Sequence, residues 1–565
     1  MEECDLIMKG GVTSGVVYPH AIRKIAKAYR LRSIGGTSAG AIAATFAAAA
    51  EYRRQENQQS MAGFDEIGDV AKELGSNMFG LFQPTPKTEP LFKLLIAAID
   101  QKSGGAGGAL RAIPRAFPYP VLFGALLVLL SVFTGVVTGN WAIGVLGVLI
   151  SLIGSIGLIA IALKKMLFVD LPAQDFGLCS GKTLPAKSEL AFGDWITQKI
   201  DQIAGKDDGP LTVRDLRRHG IDVATVTTDL SSKRPYRLPF ETSIHYFSKA
   251  EFAKLFPKKM MEYLCETGEK RACRGSDPSD LPKDLYSLPA GDDFPVYLVA
   301  RISLSFPGLI SSVPLWRIDY LRADDPFRRC LFSDGGISSN FPIHFFDSFL
   351  PSRPTFGIAL ASYDPDQGDN RIDLPKQAPQ STALPIGNVD SLPGFLMAIL
   401  NTAKDWQDTM QSMLPGHAER IVSVRLDDSS EGGLNLLMSD ETIARLTEFG
   451  SQAGDRLVSE FNMDDQRLSR ARALFPTLEG ALADMSETYD DAYAKLLKEH
   501  RVRSGTQAWR EDPFAKFGAA LKAIGAEGKA NHNDPDGKSI RQGDVGKFDA
   551  EVRLVATEDR VPGRD

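Results

Sequence analysis

Short apolar runs and helical patterns alternate at the start of the chain. The runs at residues 4–8 and 31–34 predict strands, and the apolar spacing over residues 16–29 and 41–50 predicts helices. A glycine-rich loop separates each strand from the helix that follows it. Because this alternation builds a parallel sheet with helices on both faces, the pattern predicts an α/β fold.

Strand-like runs return after residue 220 and extend the predicted sheet, which we expect to be mostly parallel. The apolar spacing from residue 439 to about residue 500 predicts helices, and the polar composition after Gly525 predicts a disordered tail. The later strand-like segments are IDVATVTTDL, FPVYLVARISLSFPGLI up to its Pro-Gly break, CLFSDGGISSNFPI, TFGIAL and RIVSVRL.

One segment departs from this soluble pattern. Residues 116–163 contain no Asp, Glu, Lys or Arg, and they hold two apolar stretches at 121–137 and 141–163. A transmembrane helix takes about 20 apolar residues, so each stretch approaches or reaches that length. We therefore predict a transmembrane helical hairpin over residues 116–165. A buried hairpin inside a soluble domain is the alternative.

The residues that flank the hairpin indicate its orientation. Basic residues at both ends favour a cytoplasmic location for both, by the positive-inside bias. The second stretch carries small residues every fourth position, which suits close contact between two helices in a membrane. The basic residues are Arg111, Arg115, Lys164 and Lys165, and the small ones are Gly147, Ser151 and Ser155.

Composition and charge exclude several classes of function. The 565 residues carry a formal net charge of −7, which argues against a nucleic-acid partner because such proteins present a basic face. The five cysteines are scattered and form no C-x-x-C pair, which argues against a disulfide framework or a thiolate zinc site and fits a reducing compartment. The acidic N-terminus MEECDLIMKGG lacks the pattern of a secretory signal.

The segment GGTSAG carries the first candidate for chemistry. Gly36, Ser38 and Gly40 form the pattern G-x-S-x-G between a predicted strand and a predicted helix. This is the context of a nucleophile elbow, in which a strained turn exposes the serine hydroxyl at the N-terminus of a helix. The alternative role for Ser38 is that of a simple helix cap.

The loop KGGVTSG, residues 9–15, is the second candidate. It also lies between a predicted strand and a predicted helix, so its backbone N–H groups can face an anion. A phosphate-binding loop of the P-loop type would end in Lys followed by Ser or Thr, and this loop does not. An oxyanion hole for ester hydrolysis is therefore the better interpretation.

The third candidate is Asp334 in FSDGGISSNFP, at the end of a predicted strand and followed by Gly335 and Gly336. A serine hydroxyl needs a base, which is usually histidine. None of the histidines is a strong candidate: His20 lies on a predicted helix, His219 in a basic polar stretch and His532 in the predicted tail, and the others have no glycine-turn setting. A direct Ser38–Asp334 dyad is therefore favoured over an ordinary Asp-Gly turn. The histidines are His20, His219, His245, His344, His417, His500 and His532.

Taken in order, the glycine loop, GTSAG and DGG resemble the patatin-like phospholipase family. The segments TTDLSSKRPYRL and ARISLSFPGLISSVPL are similar to two further stretches of that family. The resemblance covers residues 6 to about 361 and is interrupted by the apolar hairpin. It implies a three-layer α/β/α fold with a mostly parallel central sheet and a hydrolase of lipid acyl esters of the phospholipase A type. It implies neither a metal nor another cofactor.

The resemblance also implies roles for individual residues. Ser38 would be the nucleophile and Asp334 the base, while Gly10, Gly11 and Val12 would form the oxyanion hole with help from the N–H of Ala39. The family usually has a third glycine where this chain has Val12, and a Lys or Arg where it has Ser14. The second departure removes a positive charge next to the site, which bears on activity or on the charge of the preferred lipid.

These observations predict a catalytic domain in two parts, residues 1–115 and 166–460, separated by the hairpin at 116–165. A helical annex at 461–525 and a disordered tail at 526–565 follow. We expect a multi-pass membrane protein with two helices, whose catalytic domain faces the cytoplasmic leaflet and whose substrate is a membrane lipid. A non-catalytic membrane adaptor on the same fold and a lipid acyltransferase are the alternatives.

Overall fold

The computed structural model describes residues 1–532 except 12–13, 58, 100–105, 270–283, 320–326, 366–369, 377–385, 387, 428–429, 433–434, 437 and 490–510. Val12, His500 and the part of the predicted tail at 533–565 therefore lie outside the described residues. Cys4, Cys179 and Cys330 are buried free thiols.

A large mixed sheet forms the centre of the protein, with the order β12-β13-β11-β1-β2-β4-β10-β9-β6-β7 and β5 paired to β4; β3 and β8 form a separate small sheet. The strands are β1 Glu2–Met8, β2 Tyr29–Gly36, β3 Gly177–Cys179, β4 Asp222–Asp229, β5 Arg234–Leu238, β6 His245–Ser248, β7 Leu285–Ser287, β8 Gly308–Ile310, β9 Val313–Ile318, β10 Phe327–Asp334, β11 Thr355–Ser362, β12 Ile372–Asp373 and β13 Ile421–Leu426.

Helices separate and follow these strands. They are α1 Tyr18–Ala28, α2 Ala39–Glu56, α3 Ala62–Asn77, α4 Glu89–Ile99, α5 Ala106–Ala116, α6 Pro118–Thr138, α7 Trp141–Lys165, α8 Phe192–Ala204, α9 Val213–Arg218, α10 Lys249–Phe252, α11 Lys258–Glu269, α12 Val296–Ser303, α13 Leu392–Ser412, α14 Asp440–Glu460, α15 Met463–Thr488 and α16 Glu511–His532.

The α/β fold class predicted from the sequence is present, but the sheet is mixed rather than mostly parallel. Strands β13, β11, β1, β2 and β4 run parallel to one another, as expected for strands joined by helical crossovers, while β12 at the edge is antiparallel to β13. From β4 onward the pairings β4–β10, β10–β9, β9–β6 and β6–β7 are antiparallel. The sequence pattern did not distinguish these two halves because both contain buried apolar strands.

Two further elements differ from the sequence predictions. The run VYLVARIS was predicted as a strand, but it forms α12, and every residue of this helix is buried. A short helix that is buried on all sides has no exposed polar face to distinguish it from a buried strand. The predicted tail from residue 526 is also different, because α16 continues to His532 and packs along α15.

The apolar hairpin consists of α6 and α7, which pack against each other through small residues. A methyl group at Gly135 would lie 3.0 Å from Gly144 Cα, and one at Gly147 would lie 2.7 Å from Ser131 Oγ. Both helices are long and apolar enough to cross a membrane. Only 11% of the most apolar 18-residue segment of α6, and 6% of that of α7, is buried inside the protein. This exposure excludes the alternative of a hairpin inside a soluble core.

Candidate active site

Ser38 occupies a sharp turn between β2 and α2. Its backbone has φ 55° and ψ −123°, a conformation that residues other than glycine rarely adopt. The neighbouring glycines make the turn possible, because a methyl group at Gly40 would lie 2.8 Å from the Lys9 carbonyl oxygen and one at Gly36 would lie 2.6 Å from Gly40 C. The local geometry is that of a nucleophile elbow.

The sheet register brings Ser38 and Asp334 to the same level. Gly36 on β2 lies opposite Thr225 on β4, so Ser38, two residues further on, is level with Thr227. On the other side of β4, Asp334 lies directly opposite Thr227. The register therefore brings the two residues to the same end of β4, and the effect of the Ser38 hydroxyl on the pKa of Asp334 places the two side chains together there although they are far apart in the chain.

Hydrogen bonds fix Asp334 at the end of β10. Its N–H donates to the Ser305 carbonyl oxygen at 2.9 Å, and its Oδ1 accepts the Gly336 N–H at 2.7 Å. Gly335 packs against the Val226 carbonyl so closely that a side chain would not fit. The DGG turn therefore sets the direction of the carboxylate.

Burial controls the electrostatics of this pair. Ser38 and Asp334 are each 4% exposed. Burial raises the pKa of Asp334 to about 6, while the Ser38 hydroxyl, the Gly336 N–H and the charge of Lys404 oppose that rise. A carboxyl group with a pKa near neutrality suits general-base catalysis.

The Ser38 hydroxyl lies beside Asp334 but donates its hydrogen bond to the glycine loop. Ser38 Oγ donates to the Gly11 carbonyl oxygen at 3.1 Å. Asp334 Oδ2 is buried and has no hydrogen-bond partner within the part of the chain that the structure describes. Transfer of the Ser38 proton to that oxygen requires the hydroxyl to turn away from the Gly11 carbonyl.

The glycine loop lies against the elbow, with a carbonyl rather than an amide facing the serine. The Ala39 N–H donates to the Gly11 carbonyl oxygen at 3.2 Å, and the Gly10 N–H donates to the Asn340 carbonyl oxygen at 2.7 Å. Two of the amides predicted for an oxyanion hole are therefore engaged in this conformation. Val12, another of the predicted donors, lies outside the described residues.

Helix α13 closes one side of the site, which the sequence did not predict. Asp408 accepts the N–H groups of Asn340 and Phe341 at 2.5 and 2.7 Å, directly after the DGG turn. Asp405 accepts the Asn340 side-chain amide at 3.0 Å and lies 3.9 Å from Lys9 Nζ. These contacts join positions 65 or more residues apart, so no local motif could reveal them.

Three of the described histidines, His219, His245 and His417, have other partners. His245 stacks on Phe240 with ring centroids 4.2 Å apart, and His417 Nε2 lies 3.0 Å from Asp347. His219 Nε2 lies 2.8 Å from Glu56. Within the described ranges, no group of three or more His, Cys, Asp and Glu side chains could hold a metal ion.

Together these features define an α/β protein in which a buried serine and aspartate meet at strand ends and which carries an exposed apolar helical hairpin. The chain belongs to the family of the RpoH suppressor of Rhizobium meliloti (strain 1021), which is 33% identical over 579 residues covering 88% of each protein. No protein-family model matches the chain.

A solved structure, that of VipD from Legionella pneumophila, aligns with 95% of this chain and 88% of its own at 13% identity. The TM-score is 0.29, too low to support a conclusion about fold or function.

Proposed function

We propose that the protein is a serine acyl hydrolase of membrane lipids, of the patatin-like phospholipase type, with Ser38 as nucleophile and Asp334 as base. The observation that supports this most strongly is the meeting of the two side chains: a strained serine turn beside a buried carboxylate with a free oxygen. The three-layer arrangement of that family is part of this proposal. The catalytic domain would face the cytoplasmic leaflet.

The reaction would proceed in two steps. Asp334 accepts the Ser38 proton while Oγ attacks the acyl carbonyl carbon; the tetrahedral intermediate collapses to an acyl-serine, and the alcohol leaves with that proton. Water, deprotonated by Asp334, then releases the fatty acid and restores Ser38. Backbone amides at the N-terminus of α2 and in the glycine loop would hold the oxyanion once the Gly11 carbonyl has moved away.

The outer surface of α13 supports a lipid substrate. On this helix the side opposite Asp408 exposes Phe395, Ile399, Trp406 and Met410, whose spacing places them in one stripe. Soluble proteins rarely leave large contiguous apolar surface uncovered. Together with the exposed hairpin, this stripe would bring the site to a bilayer.

A non-catalytic membrane adaptor is the second candidate, and one observation favours it. The Gly11 carbonyl oxygen accepts from both the Ser38 hydroxyl and the Ala39 N–H, so it lies where an oxyanion would have to bind. If the loop kept this conformation when lipid is present, the serine could not react.

Labelling and hydrolysis assays separate the two candidates. The full-length protein in mild detergent is treated with a fluorophosphonate probe and, separately, with a panel of phospholipids and neutral acylglycerols. The hydrolase predicts labelling and fatty-acid release that are lost in Ser38→Ala and Asp334→Asn. An unlabelled, folded wild type, or equal fatty-acid release from all three proteins, would contradict it.

A further inference from the structure

Lys404 lies on the face of α13 that is turned toward the active site. It is one helical turn before Asp408, so the two residues share a face. Because Asp408 binds the backbone at Asn340 and Phe341, the position of Lys404 is fixed beside the DGG turn. Its charge lowers the pKa of both Asp334 and Lys9, which indicates that the ammonium is near both groups.

The other charged groups around the site already have partners. Lys9 lies 3.9 Å from Asp405, and Asp405 also accepts the Asn340 amide. Asp408 accepts hydrogen bonds from three donors, the hydroxyl of Ser339 and two backbone amides. These carboxylates are held by the loops that shape the site.

Lys404 differs from these groups. Its side chain is half-buried, and it forms no hydrogen bond or ion pair with any residue that the structure describes. A partly desolvated ammonium without a counterion is unfavourable, and a bound anion would remove that cost. The neighbouring Asp334 is committed to accepting the proton of Ser38 in the proposed reaction.

We propose that Lys404 binds the headgroup phosphate of the lipid whose acyl ester Ser38 attacks. The inference rests on the proposed hydrolase function and adds the residue that would select a lipid whose phosphate lies within reach of its acyl ester. Neutral acylglycerols lack the group that Lys404 would bind. Lys404 is a specificity-determining residue in this scheme and takes no part in bond making or breaking.

The test compares two substrates that share an acyl chain and differ in the phosphate. Lysophosphatidic acid and monoacylglycerol, each in the same non-ionic detergent micelles, are hydrolysed by full-length wild type, Lys404→Met and Lys404→Arg. A hydrogen bond to a charged group corresponds to about a tenfold change in affinity. We expect Lys404→Met to lower the ratio of kcat/KM for the phosphate-bearing substrate over the neutral one about tenfold, mainly through KM, and Lys404→Arg to restore most of it.

Lys258→Met on α11 is the matched control, since Lys258 is exposed and lies outside the site. Its selectivity ratio should equal that of the wild type. An unchanged ratio in Lys404→Met, or an equal loss on both substrates, would overturn the assignment of Lys404 while Ser38-dependent turnover continued. No Ser38-dependent turnover of either substrate would overturn the proposed function and this inference with it.

Discussion

At the scale of single residues, the backbone of Ser38 is the feature most characteristic of catalysis. Its φ of 55° is unfavourable for any side chain with a Cβ, and such strain costs about 1–3 kcal/mol. The surrounding packing maintains it, because Gly36 and Gly40 allow β2 and α2 to approach the Met8 and Lys9 carbonyl groups. A serine used only as a helix cap would not need this conformation.

This strain predicts opposite effects of one substitution on stability and activity. Ser38→Gly should raise the free energy of unfolding by about 1–2 kcal/mol relative to Ser38→Ala, because glycine adopts positive φ without strain. Both variants should lose ester hydrolysis. Thermal unfolding in detergent measures the difference, and equal melting temperatures for the two variants would argue against a strained turn.

The pKa of Asp334 predicts the acid limit of activity. The carboxyl must be ionised to accept the serine proton, so kcat/KM for monoacylglycerol should fall as the pH drops through about 6. Lys404 lowers that pKa, so Lys404→Met should move the acid limb to higher pH. The measurement is the pH profile of kcat/KM, with Lys258→Met as control.

If the acid limb of the kcat/KM profile stayed at the same pH in Lys404→Met, the charge of Lys404 would not reach Asp334. A limb near the ordinary aspartate pKa of 3.8 in the wild type would mean that the base is not buried in the reacting protein.

At the scale of elements, the sequence predicted the parts of the site that depend on local chemistry. The glycine spacing around Ser38 and after Asp334 predicted two turns, because only residues without a side chain fit there. The sequence could not predict α13 as part of the site, since Asp408 finds its partners through the tertiary fold. It also misassigned α12, whose complete burial removes the helical period.

Helix α13 should contribute to turnover through the loop that it holds. Asp408 fixes the backbone at Asn340, and the Asn340 carbonyl in turn accepts the Gly10 N–H of the glycine loop. Asp408→Asn keeps the shape but weakens these charge-assisted bonds. We expect kcat to fall about tenfold with little change in KM, because the reacting groups lose their alignment.

Asp69→Asn is the matched control for this change, because Asp69 is an exposed residue of α3 that pairs with Lys72. Steady-state kinetics on one lipid ester gives both constants. A kcat for Asp408→Asn equal to that of Asp69→Asn would show that α13 does not position the site.

At the scale of the whole molecule, two kinds of apolar surface are exposed, and they imply different strengths of membrane binding. The hairpin of α6 and α7 is long enough to span a bilayer, and an inserted helix pair is held almost irreversibly. The stripe on α13 belongs to a helix that also binds the active site, so it could contact lipid at the surface only. The hairpin should therefore determine whether the protein stays in the membrane.

Replacing residues 118–165 by a short Gly-Ser linker tests this division. The full-length protein should remain in the membrane pellet after carbonate washing, and so should Ser38→Ala, because the hairpin is independent of the catalytic serine. The linker variant should move to the soluble fraction on carbonate washing, while any binding that remains at neutral pH would report the surface contact of α13. Carbonate-resistant pelleting of the folded linker variant would mean that another part of the chain inserts, and α6 and α7 would then need a different explanation for their exposed apolar surface.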